Sequence, residues 1–333
     1  MMWNLWALLV NLLKLRFMDN LKPIWFTSAN LKYLDRAAIL AESMKEIHND
    51  WESVLVLVDE KPANDELFGE FTKDFDVIIT PEELGVSSPR SWFKPTKNYG
   101  DFNTIRDWLC SLSVVEACTA IKPFAFAHLA KTNRPIFYLD PDTVAFSSLD
   151  VIWESLKSGV SIVVTPHILA PSNDYQAIID NEIGALQYGI FNFGFLALNP
   201  RSENAIKFIE YWQERLKYFC TENTKNGLFT DQKWGNLLPT FYDDLLISRH
   251  PGMNVANWNL ENRHLSFNPE GDCLVNGEPL IFYHFSKAGD AGKHMTARYA
   301  KDNTTVAELW RWYLSKLAQN SERLSKQNWK HLH

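Results

Sequence analysis

The sequence predicts an α/β protein whose mostly parallel, Rossmann-like central sheet is flanked by helices. Continuous apolar runs of strand length, such as Ser53–Val58, alternate with segments such as Tyr33–Ile47, in which apolar residues recur at helical spacing. Strands that are apolar throughout are typical of a parallel sheet that helices bury on both faces. The chain has 333 residues, of which 46% are hydrophobic and 22% charged, so it can bury a large core.

The alternation of strands and helices continues along most of the chain. The predicted strands are Ile24–Thr27, Ser53–Val58, Phe75–Ile79, Ile136–Leu139, Ser161–Thr165, Phe191–Leu198 and Leu280–His284. The predicted helices are Tyr33–Ile47, Ile105–Leu129, Leu149–Leu156, Asp174–Ala185 and Glu203–Phe219. We expect an interruption of the second helix at Lys122-Pro123, because proline fits the first turn of a new helix. The stretch Gly85–Asp101 contains several Pro, Ser and Gly residues and predicts a loop.

The net charge and the cysteine pattern exclude several classes of protein. A formal net charge of -7 argues against a nucleic-acid-binding protein, which usually has a basic surface. The four cysteines include no CxxC pair, so the sequence predicts neither a zinc site nor a disulfide framework. A reducing, cytoplasmic compartment fits this cysteine usage best.

Two aspartates, Asp140 and Asp142, follow the strand predicted at Ile136–Leu139. In an open α/β sheet, ligands bind beyond the carboxyl ends of the strands. Two carboxylates one residue apart can share a divalent cation such as Mg²⁺ or Mn²⁺, because these ions prefer oxygen ligands. Asp and Pro are also common in turns, so an acidic turn around Pro141 is the alternative.

Both ends of the chain carry apolar or amphipathic segments. Trp3–Leu15 is strongly apolar but too short to span a bilayer, and it lacks the features of a signal peptide. It predicts either a helix packed on the domain or an interfacial anchor. Near the other end a basic amphipathic helix is predicted, which either packs on the domain or a partner or lies on an anionic membrane. Its apolar stripe is Val306, Trp310, Tyr313, Leu314 and Leu317, and its basic residues are Arg311, Lys316, Arg323, Lys326 and Lys330.

The segment KPFAFAHLAKTNRPIFYLDPDTVAF resembles the core of GT-A glycosyltransferases, whose DxD motif holds the metal ion on a nucleotide-sugar diphosphate. The segments NFGFLALNP, FTDQKWGNLLP, NVANWN and FYHFS then follow in the order seen in family-8-like bacterial enzymes. The resemblance covers roughly Pro23 to Lys287. The chain departs from the family's closing His-x-x-Gly-x-x-Lys pattern, because His284 is followed by Lys287-Ala-Gly289.

This resemblance implies a GT-A fold and a metal-dependent hexosyltransferase of the kind used in polysaccharide biosynthesis. The donor would be a nucleotide-diphosphate sugar, with a UDP sugar favoured, and the acceptor a glycan or a lipid-linked glycan. We expect one catalytic domain over residues 21–300, with a nucleotide-binding part at about 21–150 and an acceptor part at about 151–300. An apolar helix over 1–20 and the basic helix over 301–333 would flank it. The predicted location is cytoplasmic, with a peripheral position on the inner face of the membrane as a variant that uses the termini.

The resemblance also implies how the donor would be held. Asp142 would bind Mn²⁺ or Mg²⁺ directly, Asp140 would bind it through water or hold the donor ribose or sugar, and His284 would be the third protein ligand. A histidine that only caps a strand is the alternative for His284. Further donor contacts would come from Thr27, Ser28, Asn30, Lys122 and Lys287. For Lys122 the alternative is a solvated surface lysine, and for the short polar residues it is a turn.

A second group would face the sugar and the acceptor. Asp231 and Gln232 resemble the pair that faces the donor sugar and the reacting carbon, although Thr230 or Asp231 also fits the N-cap of a helix through Trp234. Asn192 would line the same pocket beside Gly194. The acceptor candidates are His167, Asn257 and Asn259, of which the two amides would point the same way in an extended segment.

Several alternatives stay open from sequence alone. Family-8-like enzymes retain the anomeric configuration, whereas Asp231 acting as a base near the acceptor hydroxyl would mean inversion. A haloacid-dehalogenase-type phosphohydrolase would use Asp140 as the nucleophile and Asp142 as the acid/base, with Asp243-Asp244 as a later acidic pair. A non-catalytic sugar-binding protein on a transferase fold is the third possibility.

Overall fold

A computed structural model describes residues 21–84, 102 and 104–331. Its strands are β1 (Ile24–Ala29), β2 (Glu52–Leu57), β3 (Val77–Ile79), β4 (Ile136–Leu139), β5 (Thr143–Ala145), β6 (Ile162–Pro166), β7 (Phe191–Leu198), β8 (Glu222–Asn223), β9 (Leu228–Phe229), β10 (Leu245–Ile247), β11 (Val255–Ala256), β12 (Leu265–Phe267), β13 (Cys273–Val275), β14 (Glu278–Pro279) and β15 (Phe282–His284). The predicted helix within 1–20 and the predicted loop Gly85–Asp101 lie outside the described residues.

The helices fall between these strands. The α-helices are Leu34–Ile47, Glu66–Thr72, Ile105–Cys110, Val114–Ala120, Lys122–Ala130, Asp150–Lys157, Tyr175–Ala177, Gly184–Tyr188, Glu203–Phe219, Leu238–Phe241, Asp290–Ala300 and Thr304–Leu324. The shorter 3-10 helices are Leu31–Tyr33, Pro81–Leu84, Thr224–Asn226, Gln232–Leu237 and Leu260–Asn262. A π-helical stretch, Ile178–Ile183, replaces part of the α-helix that was predicted over Asp174–Ala185.

Seven strands form the central sheet, in the order β10-β6-β7-β4-β1-β2-β3. All neighbouring pairs are parallel except those of β7, which runs antiparallel to both β4 and β6. Apolar clusters cover both faces of this sheet, one around Phe26, Tyr138 and Trp212 and the other around Trp25 and Phe137. The predicted α/β class with a mostly parallel sheet flanked by helices is therefore confirmed. Because β7 is reversed, its first residues lie at the edge of the sheet where β4 ends.

The helix predicted at Ile105–Leu129 is divided into three. Thr104 and Asp107 form a capping box at the start of Ile105–Cys110. Ser113 and Glu116 form a second box, which starts a new helix at Val114. The break predicted at Lys122-Pro123 is present, with Pro123 in the first turn of Lys122–Ala130. Local caps thus end one helix and begin the next where apolar periodicity alone predicts a continuous element.

Three small sheets were not predicted as such, of which the smallest is the antiparallel pair β8 and β9. Strands β12, β13 and β14 form an antiparallel meander, and β11, β15 and β5 form a second three-stranded sheet. The strand predicted at Leu280–His284 begins only at Phe282, and it pairs antiparallel with β5. The register sets His284 opposite Thr143, directly after the predicted acidic pair. This pairing brings β15 next to the segment that follows β4.

The carboxyl-terminal helix packs on the domain. The side chains of Val306, Trp310, Tyr313 and Leu317 are buried, and the Tyr313 ring stacks on Phe285 with 4.0 Å between centroids. The apolar stripe that the sequence predicts is therefore occupied by the protein's own core, as in the packed alternative. Within the described residues, no helix is both long enough and apolar enough to cross a bilayer.

We expect Trp310→Ala to lower the free energy of unfolding by about 3–5 kcal/mol, because it leaves a cavity of aromatic size. It also removes the indole N–H that donates to the Tyr283 hydroxyl at 3.0 Å. Trp312→Ala is the matched control, because that side chain is 39% exposed; its cost should stay near 1 kcal/mol. Urea denaturation of both variants measures the difference, and equal midpoints would contradict the packing described here.

Candidate functional site

A cavity of about 570 Å³ opens beyond the carboxyl ends of β1 and β4. Ser28 and Asn30 reach it from the end of β1, and Asp140 and Asp142 from the end of β4. The reversed strand β7 contributes Asn192 at the same edge. The cavity thus lies where ligands of open α/β sheets bind.

Asp140, Asp142 and His284 form one cluster on this cavity. One ligand atom from each lies within 4.8 Å of the other two. His284 Nε2 is 3.0 Å from Asp142 Oδ1 and 3.9 Å from Asp140 Oδ2. Two carboxylates and one imidazole at these separations suit Mn²⁺ or Mg²⁺ by residue type and spacing. Of the three residues, β4 delivers the aspartates, and the register of β15 on β5 delivers the histidine.

The electrostatics of the cluster favour its charged forms. Burial alone would lower the pKa of His284, but the Asp142 carboxylate outweighs it and raises that pKa above its ordinary value. Burial alone would raise the pKa of Asp142, and the charge and hydrogen bond of His284 reverse the effect and lower it. The pair therefore retains opposite charges in spite of burial.

Gly194 allows the close approach around this cluster. A Cβ on residue 194 would lie 2.6 Å from both Asn192 Oδ1 and His284 Cε1, and 2.9 Å from Asp140 Oδ2. These separations are well below van der Waals contact, and two of the three atoms belong to predicted metal ligands. The glycine that the sequence suggested as a point of close approach is therefore enclosed by the cluster itself.

Lys122 is a buried cation rather than a surface lysine. Its ammonium is 2.9 Å from Asp231 Oδ2 and 3.1 Å from Asp140 Oδ1, and it donates to the Phe193 carbonyl at 3.1 Å. Burial alone would lower the pKa of Lys122, but the carboxylates of Asp140 and Asp231 raise it well above the ordinary value. The ammonium thus neutralises carboxylates from two distant segments, so the solvated alternative is wrong.

Asp231 shares this buried position. Burial raises the pKa of Asp231 above its ordinary value, although the Lys122 ammonium opposes the effect. Its side chain makes no hydrogen bond that caps the helix Gln232–Leu237, although residue 231 occupies the N-cap position. Asp231 therefore occupies the N-cap position of this helix without capping it through its side chain. Next to it, Gln232 Nε2 donates to the Tyr188 carbonyl at 3.2 Å.

Most of the residues proposed from sequence line the cavity. They are Ser28, Asn30, Lys122, Asp140, Asp142, His167, Asn192, Asp231, Gln232, Asn257, His284 and Lys287. Asn30 has an additional structural role, because its side chain accepts from Tyr33 N and caps the helix Leu31–Tyr33. Ser28 Oγ donates to the Cys118 carbonyl at 2.8 Å. The structure therefore brings together residues from most of the chain length.

Thr27 and Asn259 do not line the cavity. Side chains alternate along a strand, so Ser28 faces the cavity and Thr27, which is fully buried, faces away. The segment from Asn257 to Asn259 is not extended, because Asn259 N donates to the Ala256 carbonyl in a turn. The Asn259 amide instead binds backbone: it accepts from Ala256 N and donates to the carbonyls of Asn254 and His167. The expectation that the two amides point the same way is wrong.

The acidic pair required by the phosphohydrolase alternative is also misplaced. Asp244 precedes β10, and its carboxylate accepts from Ser161, Ser202 and Asn204. Since β10 and β6 run parallel, Asp244 and Ser161 lie at the amino ends of these strands. Asp140 lies at the opposite edge, so Asp244 cannot act with it.

Sequence reasoning missed the aromatic side chains of the cavity, which are Tyr33, Tyr138, Tyr188, Phe193, Phe229 and Trp258. The Tyr33 ring is 41% exposed and lines the cavity, with the Arg36 guanidinium 4.5 Å from its centroid. Trp258 also lines it and meets both His167 and His284 edge-on. The signal for Tyr33 is present in the sequence, because an Asn three residues earlier is a helix cap that would turn the chain at this point.

Comparison with known proteins gives distant relatives. No protein-family model matches the chain. It is 26% identical over 176 residues to the uncharacterized protein YfnF of Bacillus subtilis (strain 168), over 51% of this chain and 56% of YfnF. It is 27% identical over 176 residues to the uncharacterized protein YfnD of the same organism, over 51% of this chain and 53% of YfnD. The chain thus spans about half the length of these relatives.

Solved structures of glycosyltransferases resemble the chain over most of its length. The galactosyltransferase LgtC, in complex with donor and acceptor sugar analogs, is 16% identical with a TM-score of 0.48, over 89% of this chain and 95% of LgtC. The glycosyltransferase GlyE of Streptococcus pneumoniae TIGR4 is 13% identical with a TM-score of 0.44, over 90% of this chain and 64% of GlyE.

We expect Lys122→Met to destabilise the fold by about 3–5 kcal/mol, because it leaves the buried Asp231 carboxylate without its cation. The double variant Lys122→Met/Asp231→Leu should recover much of this loss, since it removes both charges. Urea denaturation at pH 8 measures the three proteins. A double variant no more stable than Lys122→Met would show that the unpaired Asp231 charge is not the cause.

We expect the buried His167 side chain to make the stability of the protein depend on pH. Burial lowers the pKa of His167 to about 4, and Asn192 Nδ2 lies 3.2 Å from its Nε2. The folded state therefore binds fewer protons than the unfolded state between about pH 6.5 and about pH 4. The contribution of His167 to stability should be complete above this window and should be lost as the pH decreases through it, by at most about 3 kcal/mol.

Urea midpoints of His167→Gln across this pH range test the assignment. The variant should show a smaller decrease than the wild type, while His294→Gln, a change at an exposed histidine, should follow the wild type. Some slope will remain, because burial also lowers the pKa of His48. An unchanged slope in His167→Gln would overturn the prediction.

Proposed function

We propose that the protein is a metal-dependent glycosyltransferase that transfers a sugar from a UDP sugar to a glycan or lipid-linked acceptor. The observation that carries the proposal is the Asp140, Asp142 and His284 cluster on a cavity at the carboxyl ends of β1 and β4. A nucleotide diphosphate needs a fixed positive charge at this edge, and the residue types of the cluster are those that hold a divalent cation.

The reaction would break the bond between the anomeric carbon and the diphosphate. Asp142, His284 and Asp140 would hold Mn²⁺ or Mg²⁺, which would supply positive charge to the departing diphosphate. Lys287 lines the same cavity and would add charge on the phosphate side. The exposed ring of Tyr33 would stack on the base, while Ser28 and Asn30 lie within the same part of the cavity.

Asp231 and Gln232 would face the donor sugar. The Lys122 ammonium occupies one oxygen of Asp231 and keeps the carboxylate in position. We propose retention of the anomeric configuration, as in family-8-like enzymes, whereas Asp231 acting as a base near the acceptor hydroxyl would mean inversion. His167, Asn257 and Trp258, which line the same cavity, would contact the acceptor. The division into a nucleotide-binding part over about 21–150 and an acceptor part over about 151–300 stays a prediction. The cytoplasmic location and membrane contact through the termini stay predictions.

The test is thermal unfolding with UDP, GDP and CDP, each with and without Mn²⁺. A ligand at about a hundred times its dissociation constant adds about 2.7 kcal/mol of stability. We expect a Mn²⁺-dependent increase of the midpoint with UDP, lost in Asp142→Asn and retained in Asp302→Asn, a change at an exposed aspartate. A response to GDP or CDP alone would show that the donor carries a base other than uracil.

Absence of a response to any nucleotide would contradict the transferase proposal. With a donor in hand, the anomeric configuration of the product by NMR tests retention, and an inverted product would return Asp231 to the role of base.

A further inference from the structure

A chain of buried amides connects the backbone of Gly194 to the imidazole of His284. Gly194 N donates to Asn192 Oδ1 at 3.0 Å. Asn254 Nδ2 lies 3.0 Å from the same oxygen, and Asn254 Oδ1 lies 3.2 Å from His284 Nδ1. Asn254 is 1% exposed, so water does not compete for these groups.

The direction of every bond in this chain is fixed by its first member. A backbone N–H can only donate, so the Asn192 atom that faces Gly194 N must be the oxygen. That oxygen needs a donor from Asn254, so Asn254 presents its NH₂ group to Asn192. The same NH₂ group is 2.8 Å from Thr165 Oγ1, whose hydroxyl in turn lies 3.5 Å from the Asn192 carbonyl. Asn254 therefore has its carbonyl oxygen, and only that, to offer His284.

A carbonyl oxygen facing Nδ1 requires a proton on Nδ1. The other nitrogen, Nε2, is then the one that faces Asp142 at 3.0 Å and Asp140 at 3.9 Å. A metal-bound histidine is usually oriented by a hydrogen bond from its other nitrogen, and loss of this partner commonly weakens metal binding by about 10–100-fold.

We propose that Asn254 is a positioning residue that holds His284 in the Nδ1–H form and so reserves Nε2 for the metal ion. This inference rests on the proposed metal site and names the residue that orients His284, the nitrogen ligand among the three proposed ligands. Asn254 acts through His284 and does not itself reach Asp140 or Asp142 in the described contacts.

The backbone conformation of Asn254 allows its side chain to be removed without a change of backbone conformation. Its φ angle is +51°, in the left-handed region that asparagine and glycine adopt most easily. Asn254→Gly therefore removes the amide without straining the backbone. Asn276 has a φ of +53° in the distant turn between β13 and β14, so Asn276→Gly is the same change at the same conformation away from the site.

Titration calorimetry with Mn²⁺ alone tests the proposal. We expect Asn254→Gly to weaken binding of the ion about 10–100-fold, while Asn276→Gly binds as the wild type does. Thermal unfolding without metal checks that both variants are folded. Equal affinity of Asn254→Gly and the wild type would overturn the proposal.

A spectroscopic measurement on the wild-type protein tests the proposal even if the Asn254→Gly variant does not fold. Long-range ¹H–¹⁵N NMR of the protein loaded with diamagnetic Zn²⁺ reports which nitrogen of His284 carries the proton. The proposal requires Nδ1–H with Nε2 bound to the ion, and binding through Nδ1 would overturn it. Both measurements are independent of turnover. Metal binding as expected together with no response to any nucleotide would thus reject the transferase and leave Asn254 in its role.

Discussion

The buried ammonium of Lys122 is the interaction on which the site depends. It holds Asp231, which begins the helix Gln232–Leu237, to Asp140 at the end of β4. Burying the charges of Lys122 and Asp231 costs several kcal/mol for each ion, and only close pairing offsets this cost. The geometry is close, at 2.9 Å and 3.1 Å, and the carbonyl of Phe193 accepts a further hydrogen bond from the ammonium. Such a network favours one arrangement of the surrounding segments over others.

The same network explains why the cluster is suited to a cation. Asp140, Asp142 and Asp231 carry three negative charges, and Lys122 carries one positive charge. Two negative charges remain when His284 is neutral, which is what one divalent ion neutralises. Without an ion, protonation of His284 compensates in part, in agreement with the raised pKa of this residue. These four side chains together with a neutral His284 thus carry the net charge that one Mn²⁺ or Mg²⁺ would balance, while Lys287, Asp180 and Glu222 also line the cavity.

Sequence patterns were sufficient for six of the seven strands of the central sheet and for the acidic pair, but β10 and most of the short strands were not predicted. Apolar runs bounded by polar residues predicted β7 and the helix Glu203–Phe219 at their observed bounds. The pairing of charges was not predictable in this way, because Lys122 and Asp231 are 109 residues apart and only the folded chain brings them together. For the same reason the sequence could not distinguish a buried from a solvated lysine. The alternation of side chains along β1 can be read from the sequence, and it would have removed Thr27 from the candidate site residues.

The terminal helix Thr304–Leu324 supports the site through its contacts with the residues on either side of His284. His284 is flanked in the chain by Tyr283 and Phe285, whose side chains point to the opposite side of β15 because side chains alternate along a strand. The Phe285 ring stacks on Tyr313, and the Tyr283 hydroxyl accepts from the Trp310 indole. Two aromatic contacts therefore fix the strand that carries His284, while Asn254 fixes the orientation of its ring from the other side. The helix that the sequence offered as a membrane-binding segment is thereby a support for the proposed metal ligand. This role follows from the packing of its apolar stripe on residues next to His284, which the amphipathic pattern by itself does not reveal.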